Sequence, residues 1–157
     1  NEDVTALIQH TQSPYLPLLI QLALLTGMRR SELIKLHWND IDLERQLIYL
    51  TDTKNGENRQ VPIFNQVNVL LQEIEKDDGQ LFPIKEHAVS VAFRRAVKRS
   101  GLANISFHTL RHEAITRFFE IGLTIPEVAS ISGHKSWAML RRYTHLRSQS
   151  LINKLNN

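Results

Sequence analysis

The chain has 157 residues, of which 42% are hydrophobic and 22% charged, a composition typical of a globular domain with its own core. The absence of cysteine excludes disulfides and thiolate metal sites. The longest apolar stretch, YLPLLIQLALL, is too short to span a bilayer, so no membrane association is predicted.

Charge is divided unevenly along the chain. Residues 1–78 hold 7 Lys and Arg against 12 Asp and Glu, a net charge of −5. Residues 79–157 hold 12 against 4, a net charge of +8. The asymmetry predicts a basic face and a polyanionic partner, although charge alone leaves open an unevenly charged surface with no such partner.

The first half of the chain is predicted to form helices and then a hairpin. Helical patterns cover EDVTALIQHT, PYLPLLIQLALLTG and RRSELIKLHW, and Gly27 is placed to end the second helix. The period then changes in QLIYLTDTKNGENRQVPIF, where two alternating apolar runs flank a turn at Lys54. This pattern is typical of an antiparallel β-hairpin.

The second half is predicted to be helical apart from a short extended piece, LFPI. Helical patterns cover QVNVLLQEIEKD, HAVSVAFRRAVKRSGL, FHTLRHEAITRFFEIGL beginning near Thr109, TIPEVASIS with Thr124 as N-cap, and SWAMLRRYTH. The predicted fold class is therefore α+β and mainly helical, with a small antiparallel sheet or hairpin near residues 46–64.

Several short motifs carry charged or titratable side chains, and each has a plain structural interpretation. Arg29 and Glu32 share a helix face, which is also the pattern of an ordinary surface ion pair. Lys54 lies at a hairpin tip, where lysine is common. His108 and His112 have the spacing of paired zinc ligands, but no third ligand is evident and the glutamate of the zinc protease motif is absent, so no metal site is predicted.

A second DNA-related interpretation comes from TIPEVASISGHKSWAMLRRYTH. Ala129 and Gly133 occupy the positions where a helix-turn-helix motif needs small residues, and the next predicted helix is basic. This pattern favours the alternative function of a DNA-binding module without enzymatic activity.

Taken together, the motifs favour phosphoryl transfer on a phosphodiester. That reaction needs a nucleophile, cations on the non-bridging oxygens and a proton for the leaving oxygen. Arginine binds phosphate with a planar, permanently charged fork, and a tyrosine hydroxyl can act as the nucleophile. The residues that supply these groups, in chain order, are Arg29, Glu32, Lys54, His108, Arg111, His134 and Tyr143.

The stretches TGMRRSEL, FHTLRH, SGH and RRYTH resemble the catalytic boxes of tyrosine recombinases, the phage integrase family. The resemblance covers nearly the whole chain. It implies that Arg29 and Arg111 bind the scissile phosphate, that Glu32 supports the site, and that Tyr143 forms a 3′-phosphotyrosyl link while freeing a 5′-hydroxyl. We therefore expect the Tyr143 hydroxyl to be exposed.

The same resemblance implies that Lys54 is the general acid, that His108 assists proton transfer and that His134 hydrogen-bonds the phosphate. Ser132, before Gly133, departs from the family pattern because an aliphatic residue is frequent there. Arg30 is the competitor for the role of Arg29. Further DNA contacts are expected from a set of basic residues: Arg30, Arg94, Arg95, Lys98, Arg99 and Arg142.

The resemblance also implies the setting of the reaction. Residues 1–157 are expected to form a single catalytic domain, without the amino-terminal DNA-binding domains that such enzymes carry. Expected partners are double-stranded DNA at specific recombination sites, three further copies in a tetramer, and accessory DNA-bending proteins. No cofactor or metal is expected, and the expected location is the bacterial cytoplasm, at the nucleoid.

Overall fold

The computed structural model describes residues 2–51, 58–76 and 79–157. Its α-helices are α1 (Glu2–Gln9), α2 (Leu16–Thr26), α3 (Arg30–Ile34), α4 (Asn65–Gln72), α5 (Glu86–Ser100), α6 (Phe107–Glu120), α7 (Ile125–Ser132) and α8 (Ser148–Leu155). Segments of 3₁₀ helix cover Trp38–Asp40 and Trp137–Arg147. The predicted class, mainly helical α+β, is confirmed. No helix in the described part of the chain is long and apolar enough to cross a bilayer.

A small antiparallel sheet has the strand order β1 (Ile41–Asp42), β2 (Leu47–Leu50), β3 (Arg59–Pro62). Strands β2 and β3 form the predicted hairpin, with Ile48 opposite Val61 and both side chains buried. Strand β1 was not predicted, because two residues are too few to show an alternating pattern. The hairpin tip with Lys54 lies outside the described residues.

Two groups of buried side chains hold the domain together. The main core surrounds α2, an apolar helix packed against α4 and α6, and extends to the sheet. The second core lies between α6, α7 and the 3₁₀ segment Trp137–Arg147. It contains Phe118, Phe119, Leu140 and Tyr143. The helix α6 contributes to both cores: its first turn packs into the main core and its later turns pack into the second core.

The start of α6 and the helix type of one later segment differ from the prediction. The helix α6 begins at Phe107 rather than Thr109, because Thr109 is the third helical residue of a capping box in which Ser106 is the N-cap. The stretch SWAMLRRYTH was predicted as a helix of ordinary period and is instead part of a 3₁₀ segment. Its buried or partly buried residues Leu140, Tyr143 and Leu146 recur every three positions, which matches the 3₁₀ repeat.

Candidate active site

Arg111 is a buried cation in the second turn of α6. Its side chain is 2% exposed, and its Nη1 and Nη2 atoms donate to the carbonyls of Gly27 and Ser132, each at 2.7 Å. Both carbonyls lie at helix ends, and Gly27 is the left-handed C-cap of α2 with φ 69°. Burial, followed by the charge of Arg29, lowers the pKa of Arg111 to about 10, so the group stays protonated at neutral pH.

The supporting carboxylate, Glu32, is nearly buried and serves two arginines. It forms a two-pronged ion pair with Arg59, with one Nη2–Oε1 distance of 2.9 Å, and both side chains are 9% exposed. It also accepts from the backbone N–H of Arg29 at 2.8 Å and lies 3.7 Å from that guanidinium. Burial raises the pKa of Glu32, but the hydrogen bond and charge of Arg59, together with Arg29, hold it below its ordinary value.

Arg59 is a residue of this site that the sequence did not reveal. It lies on β3, and its Nε donates to the Ile131 carbonyl at 2.8 Å, which ties the sheet to α7. A Cβ atom on Gly133 would lie only 3.0 Å from Nη1 of Arg59, and Gly133 also has φ 77°. The glycine of the SGH box is therefore required both by its backbone conformation and by the passing arginine.

Two of the predicted histidines border the arginines, and the pKa of each is lowered. His134 is partly buried, and its Nδ1 lies 2.6 Å from Oγ of Ser132 and 3.5 Å from Nη2 of Arg111. Burial, then the nearby arginines, lower its pKa to about 4. His108 is an exposed side chain in the first turn of α6 whose pKa is lowered by partial burial, then by Arg111 and Arg29. Neutral imidazoles can each donate one hydrogen bond and accept another.

Arg29, His108 and Arg111 line one open cleft of about 570 Å³. Tyr49, on β2, lines it as well. The three guanidiniums of Arg29, Arg59 and Arg111 face the single carboxylate of Glu32, and no other carboxylate forms an ion pair with them in the described part of the chain. Two positive charges are thus left without a carboxylate of their own, an arrangement that suits the cleft to a phosphate-sized anion.

Tyr143 does not lie where the sequence predicted. The expectation of an exposed hydroxyl is wrong, since the residue is 8% exposed and its ring stacks on Phe119 in the second core, with centroids 5.9 Å apart. The hydroxyl is hydrogen-bonded to Nδ1 of His112 and accepts from Nη2 of Arg142 at 2.9 Å. Tyr143 is not among the described residues that line the cleft. The three-residue period of its segment turns the phenol inward.

His112 thus has a contact that the sequence did not predict. Its ring lies edge to face on His108, with centroids 4.6 Å apart, and its pKa is lowered by partial burial, then by His108 and Arg142. The spacing that suggested paired zinc ligands instead places one histidine at the cleft and the other at the tyrosine. Within residues 2–51, 58–76 and 79–157, no group of three His, Asp or Glu side chains could hold a metal ion.

The remaining predicted residues are dispersed. Arg30 pairs with Glu86 at 3.3 Å on the rim of the cleft, and the Arg142 guanidinium lies 4.9 Å from the centre of the Tyr143 ring. The basic residues of α5 are exposed to solvent, and one of them, Arg99, donates to the chain after α1. These exposed residues are Arg94, Arg95, Lys98 and Arg99.

The fold and the cleft together define a mainly helical domain with arginines and histidines at or beside an open cleft, and comparisons with known proteins find similar chains. Residues 1–150 match the model of the phage integrase family. The shufflon-specific DNA recombinase of Escherichia coli is 43% identical over 140 residues, which cover 88% of this chain and 36% of that protein. The tyrosine recombinase XerA of Saccharolobus solfataricus is 33% identical over 140 residues, which cover 87% of this chain and 48% of that protein.

Among solved structures, the catalytic domain of bacteriophage HP1 integrase is similar over 99% of this chain and 91% of its own, with a TM-score of 0.79 and 28% identity. The chain belongs to the phage integrase family. The resemblance predicted from the four boxes is therefore confirmed. The chain spans less than half the length of the two recombinases just named.

Proposed function

We propose that residues 1–157 form the catalytic domain of a site-specific DNA recombinase, in which Tyr143 attacks the scissile phosphodiester. The observation that carries this proposal is the uncompensated charge of Arg111, held by main-chain carbonyls at the edge of an arginine-lined cleft. Both relatives described above are named as recombinases, and one name specifies DNA. We also propose that this domain acts within a longer protein that carries DNA-binding domains, and that the longer protein carries out the recombination.

The cleft suits the transition state better than the ground state. A phosphodiester carries one negative charge, and attack by a nucleophile places further charge on its non-bridging oxygens. Arg29 and Arg111 supply fixed donors, while Glu32 and Arg59 hold Arg29 in place. Donors that need no reorganisation as charge develops provide the largest share of such catalysis.

The bond changes balance without a cofactor. The Tyr143 oxygen bonds to phosphorus, the bond from phosphorus to the 5′-oxygen breaks, and Lys54 protonates the departing oxygen. The phenol proton passes to a neutral imidazole. Two histidines are candidates for this acceptor: His112 is in hydrogen-bond contact with Tyr143, and His108 lies beside His112. Attack by a 5′-hydroxyl on the phosphotyrosine then rejoins the strand, and exchange between duplexes proceeds through a four-way junction.

Before this reaction, the phenol must leave the second core. The path requires the hydroxyl to exchange His112 and Arg142 for a phosphate in the cleft, and the ring to leave Phe119. Tyr143 is held in the second core by contacts with side chains, whereas Arg111 is held at the cleft by hydrogen bonds to main-chain carbonyls. DNA binding is the event that we expect to bring about this exchange.

The proposed partners are double-stranded recombination sites and three further copies of the protein, with accessory DNA-bending proteins, in the cytoplasm at the nucleoid. Arginine rather than metal supplies the positive charge at the phosphate, so cleavage should continue in excess EDTA. Loss of cleavage that Mg²⁺ or Zn²⁺ restores would contradict this part of the proposal.

Covalent capture tests the function. The protein is incubated with a pool of nicked duplexes of random sequence, denatured with detergent, and separated into free and protein-linked DNA. Wild-type protein should form adducts, whose sequences also reveal the preferred site, and Tyr143→Phe should form none. No adduct with any wild-type sample would overturn the proposed function, whereas adducts formed by Tyr143→Phe would overturn the choice of nucleophile.

A further inference from the structure

We propose that Ser132 is a positioning residue that holds His134 in the tautomer with its hydrogen on Nε2, and so turns an N–H donor toward the scissile phosphate. The phosphate as the recipient rests on the proposed function. The contact between the two side chains does not, because it is present in the protein without DNA.

The hydroxyl of Ser132 is fully buried and dedicated to this contact. Ser132 is the last residue of α7 and has 0% exposure. Its Oγ lies 2.6 Å from Nδ1 of His134, and in the described part of the chain it has no other hydrogen-bond partner. A buried hydroxyl without a partner is costly, so the contact is expected to persist in solution.

The direction of the hydrogen bond follows from Arg111. Its Nη2 lies 3.5 Å from the same Nδ1, and a guanidinium can only donate. A hydrogen on Nδ1 would therefore place a positively polarised N–H group close to a cation, which is electrostatically unfavourable. Nδ1 must be the acceptor, Ser132 the donor, and the single hydrogen of the neutral ring must be on Nε2.

Nε2 of His134 has no hydrogen-bond partner among the described residues, and the ring lies beside Arg111, which lines the cleft. The pKa of His134, lowered to about 4 by burial and then by Arg111, keeps the ring neutral, so its tautomer decides whether Nε2 donates or accepts. Only the tautomer set by Ser132 offers a donor to a phosphate oxygen.

Ser132 contacts two groups of the site, Arg111 and His134, through different atoms. Its carbonyl binds Arg111 while its hydroxyl binds His134. An aliphatic residue, frequent at this position in the family that the SGH box resembles, would keep the carbonyl and lose the hydroxyl. Replacing the side chain should thus alter His134 and leave Arg111 in place, which separates the two effects in an experiment.

The test is ¹⁵N NMR of histidine-labelled protein without DNA, with the His134 resonances assigned by His134→Gln. In wild-type protein, the couplings from ring protons should show hydrogen on Nε2 and a hydrogen-bonded Nδ1 at neutral pH. In Ser132→Ala, Nδ1 should lose the shift of a hydrogen-bonded acceptor and the second tautomer should appear. Ser132→Thr, which keeps a hydroxyl, should restore the wild-type pattern. Ser130→Ala, the same change at an exposed position of α7, should leave it unaltered.

A hydrogen on Nδ1 in wild-type protein would overturn the proposal, even if Ser132→Ala failed to fold. Unchanged His134 resonances in a folded Ser132→Ala would overturn it as well.

With DNA, Ser132→Ala should form covalent adducts about tenfold more slowly, the effect of one lost hydrogen bond, with DNA affinity unchanged. An unchanged rate would overturn the role in the reaction. Absence of adducts from wild-type protein would instead overturn the proposed function and leave the tautomer result standing.

Discussion

The cleft around Arg111 and the segment around Tyr143 are held in place in different ways. Arg111 is bound by two main-chain carbonyls at the ends of α2 and α7, so moving its side chain would break two buried hydrogen bonds at once. Tyr143 is held by the side chains of Phe119, His112 and Arg142, which new rotamers can release. We therefore propose that the fold fixes charge stabilisation in advance and holds the proposed nucleophile, Tyr143, away from the cleft.

The largest expected effect is at Lys54, the residue proposed to protonate the leaving 5′-oxygen. Lys54→Ala should slow cleavage about 10²–10⁴-fold, the usual contribution of general acid catalysis. A substrate with sulfur as the bridging 5′-atom should recover much of the rate, since a thiolate leaves without a proton. The measurement is adduct formation on matched oxygen and sulfur substrates. Failure of sulfur to rescue the variant would make Lys54 a phosphate ligand and require another acid.

The rigidity of the first region can be tested at Glu32. Glu32→Ala leaves Arg59 without its nearly buried partner and should lower the free energy of unfolding by about 3–5 kcal/mol. The surface pair gives a control, because Glu86→Ala removes the exposed partner of Arg30 and should cost about 0–1 kcal/mol. Equal losses in the two variants would show that the cleft is not held by its buried ion pair.

The same variant carries a pH dependence. Because the folded-state pKa of Glu32 is lowered, its stabilisation is complete above the ordinary glutamate value of about 4.3 and is lost as pH falls through the folded value. Urea unfolding should therefore show the largest difference between wild type and Glu32→Ala at neutral pH, and this difference should decrease as pH falls below ~4.3. A difference that stays constant with pH would contradict the lowered pKa.

Substitutions of Arg111 test whether the cleft stabilises the negative charge that develops on the phosphate during cleavage. Arg111→Ala should reduce adduct formation about 10²–10³-fold, the cost of one preorganised donor, and sulfur in the bridging position should not rescue it. Arg111→Lys keeps the charge without the fork that binds the carbonyls of Gly27 and Ser132, so it should recover only part of the rate. Full activity of the lysine variant would mean that charge alone, and not fixed geometry, is needed.

The smallest effect is expected on α5, whose exposed arginines lie outside both regions. Arg94→Ala with Arg95→Ala should weaken binding to all DNA sequences alike and reduce the slope of log affinity against log salt by about 0.9 per lost phosphate contact. Arg45→Ala, an exposed arginine of the acidic half of the chain, is the control. Binding titrations at several salt concentrations measure the slope. An equal slope in wild type and the α5 variant would remove this surface from the DNA interface.

The two regions also differ in how well the sequence predicted them. Gly27 ends α2 as expected, and local motifs place Arg29 just before α3 and His108 and Arg111 on α6, where all three line the cleft. Arg59 was missed because its pairing with Glu32 joins a strand to a helix 27 residues earlier, which no local pattern records. The inward turn of Tyr143 was missed because a period of three was interpreted as an ordinary helix. The roles of the predicted catalytic residues stay predictions.

The central claim, that Arg111 is fixed and Tyr143 moves, is tested most directly by ¹⁹F NMR of fluorotyrosine-labelled protein. The chain has three tyrosines, and Tyr15, packed against the main core, serves as the internal control. Lys54→Ala is used so that DNA with a captured site sequence binds but is cut slowly. We predict that DNA shifts the Tyr143 resonance strongly and leaves Tyr15 unchanged. A Tyr143 resonance unchanged at saturating DNA, in a protein that forms adducts, would contradict the account.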